Sequence, residues 1–458
     1  MATPELDIRM SAGGQLPAGP PFLPRLLTGK IFRQTAADFM LQNSQRYGDI
    51  VYYTAGQRRV FQFNHPDLIQ QLLVNNEPRH HRGVVMQRAR FVLGNGLLTS
   101  EEPLHMRQRR LAQPAFHRQR VAAYGDVIAG YASAMTARWP SGQTIDLHGE
   151  MLLLALRIVG KCLFDTDVEA DVRKIAAAVD AFMGFLPLVF LPFSRLIERL
   201  PFGPMQRIRN GQVDLDALIY GIIAERRRSP GDRGDLLSML LASVDTEENT
   251  GAMTDQQVRD ECLTVLLAGH ETTANGLSFA LWLLATHPEI QQRLHDESAS
   301  VLGNRMPAAA DYANLRFTQM VFAETMRLYP PVWVTARTCA QPYRVHGVDL
   351  PAGAILLAPQ IAVHRDPRFY PDPLRFDPER FNDAAKSARP RFAYFPFGGG
   401  SRQCIGEALA WMEGVLVLAT IARDWRLHPP SNASRDLPIK ASITLRPAHG
   451  LPIMVEHR

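Results

Sequence analysis

Residues 397–406 have the sequence FGGGSRQCIG and lead through Glu407 into ALAWMEGVLVLATIA, which has the composition of a strong helix. Cys404 is therefore expected at a helix N-terminus, where unpaired backbone N–H groups and the helix dipole stabilise a thiolate. The glycines let the loop fold tightly, and Gly406 lets a flat ligand approach the backbone because it has no Cβ. A lone cysteine is most often a small buried hydrophobe, but that alternative does not explain the positions of Phe397 and Arg402.

The longest predicted helix lies upstream of this loop. Thr254–Gln257 has the form of a capping box, and helix-forming sequence continues to His287-Pro288, about 48 Å at 1.5 Å per residue. Its centre is nearly all apolar, as expected for a helix buried on most sides. Residues 268–273, AGHETT, interrupt that pattern with a glycine and an acid, which are costly there unless the protein needs them.

The motif AGHETT has two chemical interpretations. The Thr272 hydroxyl can bond the Ala268 carbonyl and open the helix there, and Glu271 beside it adds a carboxylate that can relay protons. Alternatively, His270-Glu271 begins an HExxH zinc helix. That pattern requires a histidine at position 274, which is Ala274, so a zinc hydrolase is rejected.

Composition excludes several classes of protein. The chain has 458 residues, 46% hydrophobic and 21% charged, enough to bury a substantial core. Its net charge of +5 does not indicate nucleic-acid binding. Four cysteines without a CxxC pair argue against a disulfide framework or a zinc ribbon. We find neither a signal peptide nor a transmembrane segment, and we therefore expect a soluble, cytoplasmic protein.

The most apolar segment, residues 181–194, is broken by Pro187 and Pro192 and is too short to cross a bilayer. It can be a buried helical corner, the lining of an access channel or a contact with a membrane surface.

We predict one large domain, residues 1–458, with an N-terminal extension over about residues 1–30. Almost all of the region between Met106 and Pro330 carries helical periodicity, whereas Ile50–Asn64 and Tyr343–Ala358 alternate strand-forming residues with turn signals. The expected fold class is therefore mainly α with small β-sheets.

Residues 397–406 match in full the signature Phe-Gly-x-Gly-x-Arg-x-Cys-x-Gly, and the chain resembles the cytochrome P450 family of haem-thiolate monooxygenases. The resemblance implies the cytochrome P450 fold, with haem b between the long central helix and the cysteine-bearing helix. Cys404 is then the axial iron ligand and Phe397 shields its sulfur. Three further motifs follow in the family's order.

The first of these motifs is Glu324-x-x-Arg327. Residues three apart share a helix face, so the two can pair, and the resemblance adds Arg380 as their third member. The resemblance gives all three a structural role, locking the loop that carries Cys404.

The second motif is Ala268–Thr273. By resemblance, Ala268 and Gly269 border a groove where dioxygen sits, and Glu271 and Thr272 are the catalytic pair that delivers protons.

The third motif begins at His105 and includes Arg109, one helical turn later, so both side chains can donate to an anion. The family more often has tryptophan where this chain has His105. By resemblance His105, Arg109, Arg337 and Arg402 hold the haem propionates. Without the resemblance, Arg107, Arg109 and Arg110 read as a solvated basic face.

The resemblance implies that the substrate is bordered by about residues 84–98, 265–272 and 332–336, together with Ile443-Thr444. Their apolar character indicates a hydrophobic small molecule held by shape: a terpene, polyketide, fatty acid or steroid. A terpene or polyketide of bacterial secondary metabolism is preferred because the chain is expected to be soluble.

The predicted activity is insertion of one atom of dioxygen, by hydroxylation or epoxidation. The chain ends about fifty residues after Cys404, which leaves no room for a flavin or iron–sulfur domain. Electrons are therefore expected from a ferredoxin or flavodoxin-type donor with its reductase, and a basic patch on the cysteine side would suit an acidic donor.

Two other functions compete with this prediction. A peroxide-using haem peroxygenase is disfavoured because members specialised in that way lose the acid–alcohol pair, whereas this chain keeps Glu271 and Thr272. A non-catalytic haem binder, such as a carrier or gas sensor, would leave that proton relay unexplained, and no output module is visible.

Overall fold

The computed structural model describes residues 4–11, 14–20, 35–166, 174–175, 178, 203–245, 251–430 and 437–458. The apolar segment at 181–194 and part of the expected N-terminal extension lie outside the described residues. The described helices and strands are, in chain order, α1 (Ala36–Tyr47), β1 (Ile50–Ala55), β2 (Arg58–Phe63), α2 (Pro66–Gln70), β3 (His80–Arg82), α3 (Val84–Leu93), α4 (Leu104–Ala112), α5 (Arg118–Ala123), α6 (Gly125–Thr136), β4 (Gln143–Asp146), α7 (Leu147–Phe164), α8 (Pro204–Arg228), α9 (Leu236–Ala242), β5 (Val244–Asp245), β6 (Gly251–Ala252), α10 (Asp255–Thr286), α11 (Pro288–Leu302), α12 (Arg316–Leu328), β7 (Thr335–Cys339), β8 (Tyr343–Val345), β9 (Val348–Leu350), β10 (Ile355–Ala358), α13 (Gln360–Val363), α14 (Asp383–Ala388), α15 (Glu407–Asp424), β11 (Trp425–His428), β12 (Ile439–Ala441), β13 (Leu445–Pro447) and β14 (Pro452–His457).

Internal contacts divide the chain into two compact units, each assembled from distant stretches of sequence. The first unit contains Met1–Val84, Ala323–Cys404 and Ile439–Arg446. The second contains Val85–Phe322, Ile405–Pro438 and Pro447–Arg458. The single domain inferred from the sequence remains a prediction.

The first unit is built on a five-stranded sheet with the order β1-β2-β10-β7-β3. Strand β10 is parallel to β2, and the other neighbouring strands are antiparallel. The side chains of Phe61, Phe63 and Leu356 are completely buried in its core. Apolar residues at alternate positions of a strand share one face, which explains why this face is covered.

Both strand–turn–strand predictions are confirmed in this unit. Strands β1 and β2 form a hairpin whose turn includes Gly56, at φ +63°. Strands β8 and β9 form another, and its turn residues His346 and Gly347 both have positive φ, as a tight hairpin turn requires.

The described part of the N-terminal extension lies against this sheet. The backbone N–H of Asp7 donates to the buried Asp49 carboxylate at 2.8 Å, and Tyr52 N–H donates to the Ala18 carbonyl at 3.2 Å. A Cβ placed on Gly19 would lie 1.7 Å from the Tyr52 carbonyl oxygen, so this contact requires glycine. The extension therefore belongs to the first unit.

The second unit is mainly α, and its longest helix is α10. Thr254 and Gln257 form the predicted capping box, and the helix ends just before His287-Pro288, so both predicted ends are confirmed. Helix α10 packs against α7, α8 and α15. Strand β4, however, lies in the region predicted to be helical, because it pairs with β14 about three hundred residues later in the chain.

Candidate active site

In the first unit, the loop that carries Cys404 is the candidate element for binding iron. Gly398 and Gly400 have φ of +74° and +75°, a left-handed conformation that favours glycine. The Cys404 N–H then donates to the Phe397 carbonyl at 2.9 Å, which closes the loop. Helix α15 begins three residues after Cys404, at Glu407, so the predicted position of the cysteine just before a helix is confirmed.

Cys404 differs from the other cysteines in exposure. All four lie among the described residues; Cys162, Cys262 and Cys339 are buried, and Cys404 is exposed. Burial raises the pKa of the three buried thiols, which keeps them protonated and unsuited to bind a metal. Cys404 is therefore the cysteine that fits an iron ligand.

Glu77 anchors the cysteine loop from a distant part of the chain. Its carboxylate accepts from the Ser401 N–H at 3.0 Å and from the Ser401 hydroxyl at 2.6 Å. The backbones also approach closely, because a Cβ on Gly400 would lie 2.0 Å from the Leu73 carbonyl oxygen. Sequence reasoning missed Glu77, since no local pattern links it to a residue 324 positions later.

His364 supports the start of the same loop. Its Nε2 accepts from the Phe395 N–H at 3.0 Å, and the Phe395 carbonyl accepts from the Gly398 N–H at 2.9 Å. Burial and the nearby Arg327 charge lower the pKa of His364 to about 3. The neutral ring is therefore a permanent acceptor at physiological pH.

The structure brings together the three residues to which the sequence assigned a structural role. Glu324 and Arg327 form a completely buried bidentate pair, with N–O distances of 2.6 and 2.7 Å. Arg380 Nε lies 3.5 Å from a Glu324 oxygen as an ion pair without hydrogen-bond geometry. The remaining Arg327 donors bind carbonyls of Pro373, Arg375 and His364, so this ion pair connects to the residue beneath the cysteine loop.

The four candidate anion-binding residues fall into both units. Arg337, on β7, is buried and donates to the Ala336 carbonyl at 3.1 Å, and Arg402 is half-buried in a short helical turn. On α4, His105 is buried and its Nδ1 lies 2.8 Å from a Glu102 oxygen, whereas Arg109 is half-buried. Glu102, which the sequence did not suggest, fixes the orientation of the His105 ring.

The alternative of a solvated basic face on α4 is wrong for one of its members. The side chain of Arg107 is only 7% exposed. Arg109 and Arg110 are half-buried.

In the second unit, helix α10 carries the AGHETT motif. The Thr272 hydroxyl donates to the Ala268 carbonyl at 2.7 Å, as predicted. From Val258 to Ala285, four residues escape burial in this fully described helix, namely Leu267, Ala268, Gly269 and Thr272. They form an accessible strip that presents an apolar surface with one hydroxyl.

Two further observations concern the AGHETT motif. Glu271 lies beside this strip and is buried. The helix is continuous through the motif, so the expected opening at Ala268 is not visible as a break. Gly269 packs closely on α7, where an added Cβ would lie 3.2 Å from Val159 Cγ2.

Gly406 adopts φ −86°, a conformation open to any residue, so its backbone angles do not require a glycine there. The residues that the structure describes contain no cluster of three or more metal-binding side chains. Among the same residues, no helix has both the length and the apolar character needed to cross a membrane.

These residues fit a haem group. An exposed sulfur on a loop fixed by hydrogen bonds suits axial ligation, and Arg337 and His105 are buried side chains whose donors suit carboxylates. The accessible strip on α10 offers a surface for small apolar molecules in a helix that is otherwise covered.

Comparison with known proteins gives the class. Residues 17–453 match the family described as Cytochrome P450. The chain belongs to this family and is a haem-iron monooxygenase, an oxidoreductase of the kind that uses redox partners and hydrophobic substrates.

Three bacterial relatives are similar along most of their length. Cyclooctatin synthase of Streptomyces melanosporofaciens is 39% identical over 415 residues, 89% of each chain. Cyclooctat-9-en-7-ol 5-monooxygenase of the same organism is 39% identical over 389 residues, 84% of this chain and 83% of that protein. Pentalenene oxygenase of Streptomyces avermitilis is 37% identical over 383 residues, 83% of this chain and 84% of that protein.

Proposed function

We propose that this chain is a haem b monooxygenase that hydroxylates or epoxidises a terpene, using dioxygen and electrons from a separate protein donor. The observation that carries this proposal is Cys404, an exposed thiol on a loop fixed by Glu77 and His364 in a chain of the cytochrome P450 family. Cys404 would bind the haem iron through its sulfur, and the side chain of Phe397 would limit access of water and oxidants to that sulfur.

Four side chains anchor the cofactor in this proposal. Arg337 and His105 are buried, and Arg109 and Arg402 are half-buried, so hydrogen bonds from these side chains to the haem propionates would be wholly or partly shielded from water. Such charge-assisted hydrogen bonds are about twice as strong as neutral ones. The haem iron, when bound through a thiolate, supplies the redox chemistry that activates dioxygen.

Thr272 and Glu271 move the protons. In the structure the Thr272 hydroxyl hydrogen is held by the Ala268 carbonyl, which leaves the oxygen lone pairs directed away from the helix. The hydroxyl can therefore accept a hydrogen bond from a water or an incoming ligand, and rotation turns it into a donor. Glu271, the buried residue that precedes Thr272, is the acid that resupplies the proton.

A terpene is the preferred substrate for two reasons. Leu267, Ala268 and Gly269 present an apolar surface without charge, which suits a ligand held by shape. Two of the relatives are named for unsaturated, poorly polar substrates, cyclooctat-9-en-7-ol and pentalenene. A polyketide, fatty acid or steroid is also largely apolar, but neither of these two relatives is named for such a substrate.

The electron donor is a ferredoxin or flavodoxin-type protein with its reductase, and the reaction takes place in the cytoplasm. A docking surface with a positive potential would attract such acidic donors over a distance of about 10 Å at moderate ionic strength.

Turnover of a labelled substrate tests the proposal. The purified protein is incubated with pentalenene, ¹⁸O₂, NADPH, a ferredoxin and its reductase, and the products are analysed by mass spectrometry. We expect one ¹⁸O atom per product molecule and no product when the ferredoxin is omitted. Product formed from hydrogen peroxide alone, at the same rate, would indicate a peroxygenase instead.

A further inference from the structure

The loop at residues 94–98, between α3 and α4, is bonded to the first half of α10. The Asn95 N–H donates to Asp260 Oδ2 at 2.8 Å, and the Leu97 N–H donates to Glu261 Oε2 at 3.0 Å. The carboxylates of two consecutive residues of α10 thus accept hydrogen bonds from the backbone N–H groups of two loop residues. A backbone held by side chains in this way has a fixed distance from the helix axis.

Two glycines bring this loop unusually close to the helix. A Cβ on Gly94, at φ +68°, would lie 2.2 Å from the Asp260 carboxylate. A Cβ on Gly96 would lie 2.4 Å from the Thr264 hydroxyl and 2.5 Å from the Asp260 carbonyl oxygen. Any larger residue at these positions would push the loop away, so the hydrogen bonds and the packing require the same placement.

Arg259 extends the attachment to a third helix. Its guanidinium donates to Asp260 at 2.9 Å, to Asp216 of α8 at 2.7 Å and to the Val92 carbonyl at the end of α3 at 3.2 Å. The Asn95 carbonyl in turn accepts from Gln108 of α4 at 2.6 Å. One turn of α10 therefore fixes the position of the loop and of the helices on either side of it, α3 and α4.

Glu261 is costly at this position. Its side chain is 1% exposed, and Oε1 has no hydrogen-bond partner among the described residues. Burial raises the pKa of the carboxyl to about 8, the Leu97 N–H opposes the rise, and the Asp260 charge adds to it. A buried acid with one unpartnered oxygen lowers the stability of a fold, because its lost contacts with water are only partly replaced.

The position of Glu261 on the helix indicates what the bond is needed for. Ala268 follows it by seven residues, two turns of the helix, and therefore lies on the same face, about 10 Å further along. Thr272 follows Ala268 by one more turn on that face. The loop held by Glu261 thus covers one end of the face whose next turns form the accessible strip.

We propose that Asp260 and Glu261 are positioning residues that hold the loop at residues 94–98 as a wall of the substrate pocket, and that the wall sets the size of substrate accepted. This inference rests on the proposed function. The two acids do not touch the substrate; they act through the backbone of Asn95 and Leu97.

Glu261→Leu and Glu261→Gln separate positioning from simple stability. The amide oxygen of glutamine can still accept from the Leu97 N–H, whereas leucine cannot. The matched control is Glu289→Leu, at an exposed glutamate of α11. Because Glu261→Leu can impair folding, Gly96→Ala provides a second variant, which displaces the loop sterically and keeps both acids.

Two haem ligands of different size serve as probes. Imidazole is small enough to coordinate the iron without contacting the loop at residues 94–98. The larger 4-phenylimidazole carries a second ring that must fit beside this loop. Glu261→Leu loses the hydrogen bond to the Leu97 N–H, and Gly96→Ala displaces the loop sterically. We expect both variants to weaken 4-phenylimidazole binding about tenfold and to leave imidazole binding within twofold. Glu261→Gln and Glu289→Leu should leave both affinities within twofold.

Hydrogen exchange provides an independent readout. Peptides that contain Asn95 and Leu97 should exchange faster in Glu261→Leu than in Glu261→Gln. If Glu261→Leu weakened the binding of both ligands equally, the positioning role alone would be overturned. Unchanged 4-phenylimidazole binding despite faster exchange would overturn it as well. No imidazole-dependent spectral change in the unmodified protein would overturn the proposed function, and this inference with it.

Discussion

At the scale of single residues, the chemistry of Cys404 depends on neighbours that come from far along the chain. Glu77 holds Ser401 on one side of the loop, and His364 holds Phe395 on the other. The sulfur itself is exposed. A cysteine presented in this way can bind iron with little reorganisation, which is the condition for a stable axial ligand.

Thr272 gives the first residue-scale prediction. Thr272→Ala removes the hydroxyl that bonds the Ala268 carbonyl and so removes one member of the proton relay. We expect the product formed per NADPH to fall by about 10²-fold, with hydrogen peroxide released instead, since positioned proton transfer contributes this much to catalysis. Thr272→Ser should keep most of the coupling. Equal coupling in Thr272→Ala would remove this residue from the mechanism.

Glu324 gives a prediction about stability. Glu324→Gln leaves the completely buried Arg327 without its counter-charge, which typically costs about 3–5 kcal/mol. Lys161→Met is the control, because it breaks an exposed pair with Asp165 that is worth about 0–1 kcal/mol. Urea unfolding of both variants measures the difference. A loss in Glu324→Gln no larger than in the control would contradict the structural role of this pair.

His364 gives a prediction about pH. The pKa of this side chain is about 3 in the folded protein and 6.5 in the unfolded chain, so only the unfolded chain gains a proton between these values. The free energy of unfolding should therefore fall by about 1.4 kcal/mol per unit as the pH drops from 6.5 toward 3. His364→Gln keeps an acceptor for Phe395 but cannot titrate, and urea unfolding from pH 7 to 4 should give a shallower slope. Identical slopes would contradict the buried neutral histidine.

At the scale of elements, local sequence signals predicted the position of α10 correctly. The features that the sequence did not predict depend on long-range contacts. The capping box of Thr254 and the break at Pro288 determine the ends of the helix without help from the rest of the fold. Strand β4 has no such signal, because its pairing with β14 joins segments separated by most of the chain. The loop contacts of Asp260 and Glu261 were missed for the same reason.

Two glycines with similar backbone angles give the element-scale prediction. Gly400 and Gly353 have φ of +75° and +79°, but an added Cβ would strike the Leu73 carbonyl oxygen at Gly400 and nothing within 4 Å at Gly353. Gly353→Ala should cost only the conformational strain, about 1–2 kcal/mol. Gly400→Ala should cost more and displace the cysteine loop.

The reduced carbon monoxide spectrum distinguishes these two variants. We expect Gly353→Ala to keep the thiolate-type Soret band and Gly400→Ala to lose most of it. If both variants keep the band, the contact between Gly400 and Leu73 does not position the cysteine.

At the scale of the whole molecule, the order of motifs along the sequence indicated a single cofactor, and the family match from residue 17 to 453 runs through both compact units. The class of enzyme could be predicted because Cys404, Thr272, Glu324 and Arg327 occur in short recognisable patterns. Glu77, Glu102 and His364 could not, since each acts through one long-range contact that leaves no local pattern.

The central claim is that Cys404 binds the haem iron as a thiolate. Its most direct test is the reduced carbon monoxide difference spectrum of the purified protein, of Cys404→Ser and of Cys339→Ser, a buried control whose thiol donates to the Gln341 carbonyl. We predict the red-shifted Soret band of thiolate ligation in the unmodified protein and in Cys339→Ser, and its loss in Cys404→Ser. A histidine-type band in the unmodified protein, or an unchanged band in Cys404→Ser, would contradict the claim.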